Sequence, residues 1–279
     1  MENNKKNDPL KNNNKRLKYV IYTILGVILV IVIWEIISFS TNHLFLPEFF
    51  NCFGNAFRLL GDQSVLTGLG YSTLRIVIST LVSSVIGITL GIFAGYYDGL
   101  ARILSPLMTV LRSFPTIALS LLLIIYVKNF SLYVVSIVML PLIYETTLQG
   151  SRSAYSTFER DFLLEGKRHV FTNITKVILP LSVGYIFVGL FEAVGFGIKA
   201  EVMAEVFAYD SNFKGMGPLI NFAYSNGDYL SLMSLVIIIL LIALILDLIL
   251  RFGSKKLEKK LGISVEKKSM FSLWKHALS

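Results

Sequence analysis

Four charged residues crowd one end of an otherwise apolar stretch: Glu192, Lys199, Glu201 and Glu205. An ionised group at membrane depth costs roughly 2.5–3.5 kcal/mol on insertion scales, so such residues face a protein interior or a watery cavity. Glu201 and Glu205 are four apart and share a face if the helix continues through them. Two readings stand at this point. Either both carboxylates sit solvated at the outer membrane interface, or they line a substrate path or gate with Lys199 as an anion-attracting charge. A second polar break, Arg112-Ser113-Phe114-Pro115, interrupts another apolar run. Pro115 removes a backbone donor and predicts a bend. Arg112 either snorkels to the inner interface or marks a gate.

Other chemistries lack their residues. Cys52 is the only cysteine, so no intramolecular disulfide and no cysteine-based metal site can form. His43, His169 and His276 fall in separate segments without the spacing of a zinc or haem site. No metal, cofactor or catalytic site is expected.

The elements that position these charges follow from composition. Of 279 residues, 54% are hydrophobic and 16% charged, and mean hydropathy is +0.67. A soluble domain needs more polar surface, so the bilayer is the solvent to reason with. Runs of about twenty apolar residues predict membrane-crossing helices at 19–38, 72–95, 106–127, 132–149, 177–197 and 229–252, with apolar character persisting from 197 to 207. The first run is too long for a signal-peptide core and reads as a retained span. The expectation is an all-α polytopic bundle of six spans. The permease domain covers 19–253, with basic cytoplasmic tails at 1–18 and 254–279.

Charge placement orients the bundle. With the N-terminus inside, twenty Lys and Arg residues fall in inside segments and three, Arg58, Lys128 and Lys214, fall outside. This bias places both termini in the cytoplasm of a prokaryotic plasma membrane. The net charge of +8 therefore belongs to tails and loops near anionic lipid, and no nucleic-acid partner is expected.

Two further patterns carry structure. Gly87, Gly91 and Gly95 repeat every fourth residue, a stripe that admits a close helix neighbour; it serves tight packing or a sliding contact. The long internal cytoplasmic stretch around 150–178 has Val170, Phe171, Ile174, Val177 and Ile178 at helical spacing among polar residues. That amphipathic helix either rests on the membrane or docks in a groove on a cytosolic partner.

Over roughly residues 45–260 the chain resembles the permeases of binding-protein-dependent ABC importers, in the nitrate, sulfonate and taurine branch. An ordered series carries the resemblance: Ser72-Thr73-Leu74-Arg75, the Gly87/Gly91/Gly95 run, Pro106 with Leu111-Arg112-Ser113-Phe114-Pro115, Leu179-Pro180, Gly189-Leu190, Ala204-Glu205 and Gly215-Met216-Gly217. It implies a type I importer permease fold. In such permeases a cytoplasmic EAA…G loop docks on the ATPase. Counted back from Leu179-Pro180, its Glu falls on Asp161, its Ala positions on Phe162 and Leu163 and its Gly on Lys167, with Gly166 one place off. This chain departs from the motif, so the docking role rests on position and amphipathicity, over Asp161, Glu165, Gly166, Lys167, Val170, Phe171, Ile174 and Pro180.

The resemblance further implies a subunit without catalysis of its own, a second permease copy in a homodimer, a cytosolic ABC ATPase dimer that uses ATP, and an extracytoplasmic substrate-binding protein. The absence of a P-loop from this chain agrees with a separate ATPase. The implied substrate is a small anion such as a sulfonate, taurine or nitrate, with a thiamine-precursor pyrimidine or similar nutrient as the alternative. A secondary transporter is the rival class, but the internal repeat it usually carries is not found. A polytopic membrane enzyme would need clustered histidine, aspartate or serine residues.

Overall fold

The computed structural model describes residues 9–165, 170–208 and 213–261. Gly166 and Lys167 lie outside these residues, as do much of both tails. The elements are α1 (Pro9–Ser40), α2 (Phe49–Leu59), α3 (Gln63–Tyr96), α4 (Asp98–Ser113), α5 (Thr116–Tyr126), α6 (Phe130–Thr157), α7 (Glu159–Glu165), α8 (Val170–Asn173), a π-helical turn (Ile174–Ile178), α9 (Leu179–Glu205), α10 (Met216–Ser225) and α11 (Tyr229–Leu261). There is no strand among the described residues.

Five helices are long and apolar enough to cross a membrane: those at Ile21–Ser40, Gln63–Tyr96, Phe130–Thr157, Val170–Glu205 and Tyr229–Leu250. The sixth expected span, 106–127, is not a single helix. α4 and α5 meet at Pro115 with a 91° bend. Phe114 and Pro115 are both extended there, because proline disfavours helix in the residue before it. Pro106, read as the start of that span, lies inside α4, and Pro141 lies inside α6 without ending it. The expected domain limits at 18/19 and 253/254 fall within α1 and α11, which run from Pro9 and on to Leu261. The hydrocarbon boundary limits apolar composition, whereas a helix ends only where capping or chain chemistry ends it.

The chain forms two compact units. One holds the residues up to 62 together with 222–238; the other holds 63–221 and the residues from 239 on. In the first, α1 exposes apolar side chains all round, among them Ile24, Val27, Val30, Ile33 and Ile37, as a helix bathed in lipid does.

In the second unit α3, α6 and α9 pack together. The glycine stripe of α3 explains how. A Cβ on Gly87 would stand 3.1 Å from Ile143, and one on Gly91 would stand 2.7 Å from Thr147 and 2.9 Å from the Tyr144 carbonyl oxygen. A Cβ on Gly95 would collide with Ser151. Ile143, Thr147 and Ser151 are themselves four apart, so a ridge of α6 lies in the groove left by the glycines. Ser79 and Ser83 extend the stripe, donating to the carbonyls of Leu132 (2.9 Å) and Ser136 (2.7 Å). Ser151 donates back to the Ile92 carbonyl at 2.9 Å. The close neighbour that the stripe admits is thus α6. α9 approaches α6 by the same device, with Gly189 against Thr146, Gly197 against Met139, and Gly150 of α6 against Tyr185. The core between them is Ile76 of α3, Val135, Val138, Met139 and Ile143 of α6, and Ala193, Val194 and Ile198 of α9.

Candidate translocation site

α9 carries the charges singled out from the sequence, and its packing sorts them. Glu201 and Glu205 are fully buried on the face toward α3 and α6, which overturns the reading that both are solvated. Arg75 of α3, 8% exposed, donates to Glu205 Oε1 at 2.5 Å and stands 3.8 Å from Glu201 Oε1. The Ser72 hydroxyl lies 2.7–2.8 Å from both Glu205 oxygens and accepts the Met216 amide at 2.9 Å. The Gly217 amide donates to Glu205 Oε2 at 3.0 Å. Ser131 of α6 donates to Glu201 Oε1 at 3.0 Å, whereas Glu201 Oε2 is buried without a hydrogen-bond partner.

One guanidinium thus serves two carboxylates. It is covered by the Phe213 ring, 4.2 Å from its centre, and Phe213 leans on Phe130 at 5.5 Å. A Cβ on Gly215 would stand 2.5 Å from Glu205 Oε1, so the chain after α9 passes the carboxylate too closely for any side chain. The cluster ties α3, α6, α9 and the start of α10 into one node. Breaking a buried pair by removing one partner costs about 3–5 kcal/mol, because a charge is left uncompensated.

The other face of α9 is different. Glu192 and Lys199 are exposed and seven residues apart, hence nearly aligned along the helix. They sit in a stripe with Leu181, Tyr185, Val188, Phe196 and Met203, each 39–50% exposed. Gly195 lies in the same stripe with open space above it. Lys199 is two residues before Glu201 and therefore on the opposite side; the structure does not bring it to the carboxylate cluster.

At the α4–α5 break Arg112 is ion-paired with Glu145 of α6, and its side chain is 57% exposed. Expected from the sequence either at the inner interface or at a gate, Arg112 has a carboxylate of the neighbouring helix as its ion-pair partner. Pro115 is exposed beside it. Sequence reasoning did not single out Glu145, nor the roles of Arg75, Ser72 and Ser131. The signal for Arg75 was available, since an arginine inside an apolar span calls for a partner.

In the 150–178 segment the expected docking residues divide. Asp161 is exposed, Glu165 closes α7, Phe171 is 75% exposed, and Val170 and Pro180 are half-buried. Ile174 is a correction: at 5% exposed it packs inward with Phe162, Ile178, Ile92 and Ala154, so it anchors the segment and presents nothing outward. The π-helical turn over Ile174–Ile178 accompanies this inward turn of the apolar side chains. Leu163, on which one motif alanine falls, is 68% exposed, and Leu164, 86% exposed, is an outward apolar residue the sequence reading passed over. No group of three or more His, Cys, Asp and Glu that could hold a metal occurs among the described residues.

Comparison with known proteins agrees with this architecture. Residues 87–261 match the family described as binding-protein-dependent transport system inner membrane component. A putative ABC transporter permease protein of Methanocaldococcus jannaschii is 28% identical over 92% of this chain and 97% of its own length. The nitrate import permease protein NrtB of Synechococcus elongatus is 26% identical over 77% of this chain and 80% of its own. The protein of the same name from Leptolyngbya laminosa is 26% identical over 68% of each chain.

Proposed function

This chain belongs to the family of binding-protein-dependent transport system inner membrane components, a multi-pass permease subunit of an ABC importer, and from that premise we propose that it conducts a small anion along the exposed face of α9. The observation that carries this reading is Lys199. It stands exposed within a membrane-spanning helix, aligned with Glu192, where contact with lipid would cost roughly 2.5–3.5 kcal/mol per charge. A face of this kind is suited to a second copy of the chain and to water between the two. Gly195, where an added Cβ would meet nothing within 4 Å, leaves room for that copy to approach. Two relatives named as nitrate importers favour an inorganic anion of that class; sulfonates and taurine share its negative charge.

In this reading the buried cluster is a structural joint beside the path. The transmembrane domain is flanked by basic cytoplasmic tails, with both termini inside as the Lys and Arg bias favours. On that side Leu163, Leu164 and Phe171 supply an apolar surface for a cytosolic ATPase, which hydrolyses ATP that this chain does not bind. A binding protein delivers substrate from the opposite side. ATP-driven closure of the ATPase pair would pull the two α7–α8 segments together and switch the path between its two openings.

The test is reconstitution of the permease with its ATPase and binding protein. Nitrate should stimulate ATP hydrolysis, and Lys199→Ala should reduce uptake with folding intact. Unchanged uptake removes Lys199 from the path. Transport that persists without an ATPase overturns the coupled mechanism.

A further inference from the structure

α2 is amphipathic in an unusual way: three kinds of side chain occupy three sectors of one short helix. Cys52 and Ala56, 0% and 2% exposed, pack against the start of α11, where Ser234 donates to the Cys52 carbonyl at 2.9 Å and Asn55 reaches the Ser234 hydroxyl at 3.1 Å. Asn51 and Arg58 form an exposed polar edge. Between these sectors Phe50, Phe53 and Phe57, at spacings of three and four, point outward at 70%, 36% and 59% exposure. Phe53 packs on Phe49 and Phe57, ring centres 5.9 and 5.0 Å away, so the aromatic surface is preformed.

What covers this surface follows from where α2 starts. Trp34 of α1 donates its indole N–H to the Pro47 carbonyl at 3.0 Å, and Glu35 accepts the Phe49 amide at 3.0 Å. Trp34 also meets the Phe49 ring edge-on, with centroids 5.9 Å apart. These two residues lie six and five positions before Ser40, the end of α1, so α2 begins roughly 9 Å back along that helix. α1 remains apolar and exposed past that level, through Ile36, Ile37 and Phe39. The aromatic face of α2 is therefore continuous with the lipid-facing surface of a membrane span. Phenylalanine on one sector, with asparagine and arginine on the next, is the composition of a helix lying in the boundary between headgroups and acyl chains.

We infer that α2 is a lipid-binding interfacial helix whose Phe50, Phe53 and Phe57 insert into one leaflet while Asn51 and Arg58 face the headgroups. Glu35 at its first amide satisfies a helix-start donor that the hydrocarbon edge would leave bare. The lipid surface is the partner, and the helix buttresses the end of α1 in it.

The experiment uses the full chain in vesicles of phosphatidylcholine and phosphatidylglycerol. In a Cys52→Ala background, nitroxide labels are placed singly by Phe50→Cys, Phe53→Cys, Phe57→Cys, Asn51→Cys and Arg58→Cys. Collision rates with oxygen, which concentrates in lipid, and with a water-soluble nickel chelate are compared. Oxygen should dominate at 50, 53 and 57, and the ratio should invert at 51 and 58. Nickel dominance at all five positions overturns the inference in favour of an aqueous face. Low collision with both reagents at 50, 53 and 57 overturns it in favour of a protein partner, such as a second copy. Only a labelled protein that keeps the unlabelled protein's size-exclusion profile is scored, and three aromatic positions guard against the loss of one.

Discussion

The two faces of α9 carry the same kinds of residue in opposite circumstances. Inward, Glu201 and Glu205 are fully buried and held by Arg75, Ser72, Ser131 and the Gly217 amide. Outward, Glu192 and Lys199 are exposed along one stripe. A charge whose partners come from its own chain is committed to holding helices together. A charge that its own chain leaves exposed is available to something else. The first face is where stability resides; the second is where transport is proposed to reside, and the two should respond differently to substitution.

The largest expected effect is on the inward face. Arg75→Ala strands two buried carboxylates and should lower unfolding free energy by about 3–5 kcal/mol, seen as a lower midpoint in thermal unfolding of the purified protein. If the cluster acts as a unit, the double variant Arg75→Met with Glu205→Met should cost less than the sum of the singles; strict additivity would break the joint into unrelated contacts. Next is Gly215→Ala, where the added methyl meets the Glu205 carboxylate. About 1–3 kcal/mol is expected from overpacking, with the same readout. Glu201→Gln should cost under about 1 kcal/mol, because the Ser131 bond to its oxygen survives and no net hydrogen bond is lost. A larger loss would give Glu201 the same rank as Glu205. Smallest in stability is Lys199→Ala, expected within about 0.5 kcal/mol of the parent as for other surface changes, but with impaired anion uptake in vesicles. Equal loss of stability on both faces would erase the contrast.

Much of this was legible in the sequence because lipid imposes strong rules. Apolar runs of about twenty residues located five spans without reference to any contact. The every-fourth glycines of α3 announced a close neighbour, though not that Ile143, Thr147 and Ser151 of α6 would be it. Hydropathy averages over a break, so 106–127 reads as one span; Pro115 marked a bend there, but not that the bend would be a 91° turn. Ile174 fitted a helical period for docking, but periodicity says which residues share a face and not whether that face turns in or out. It turned in, onto Phe162 and Ile92.

The carboxylate cluster shows where that limit falls. The sequence by itself determined the class: an all-α membrane protein with charged residues at the end of one span, and an ordered set of short motifs shared with importer permeases. Ser72 to Arg75, Ala204-Glu205 and Gly215 to Gly217 were visible as three separate pieces of that set. Only the tertiary structure joined them, because the three segments are separated by more than a hundred residues in one case and about ten in another. An ion pair depends on a distance of a few ångströms, which no local pattern encodes. The same fact decides the meaning of α9: spacing placed Lys199 and Glu201 within two residues of each other, and packing put them on opposite sides of the helix.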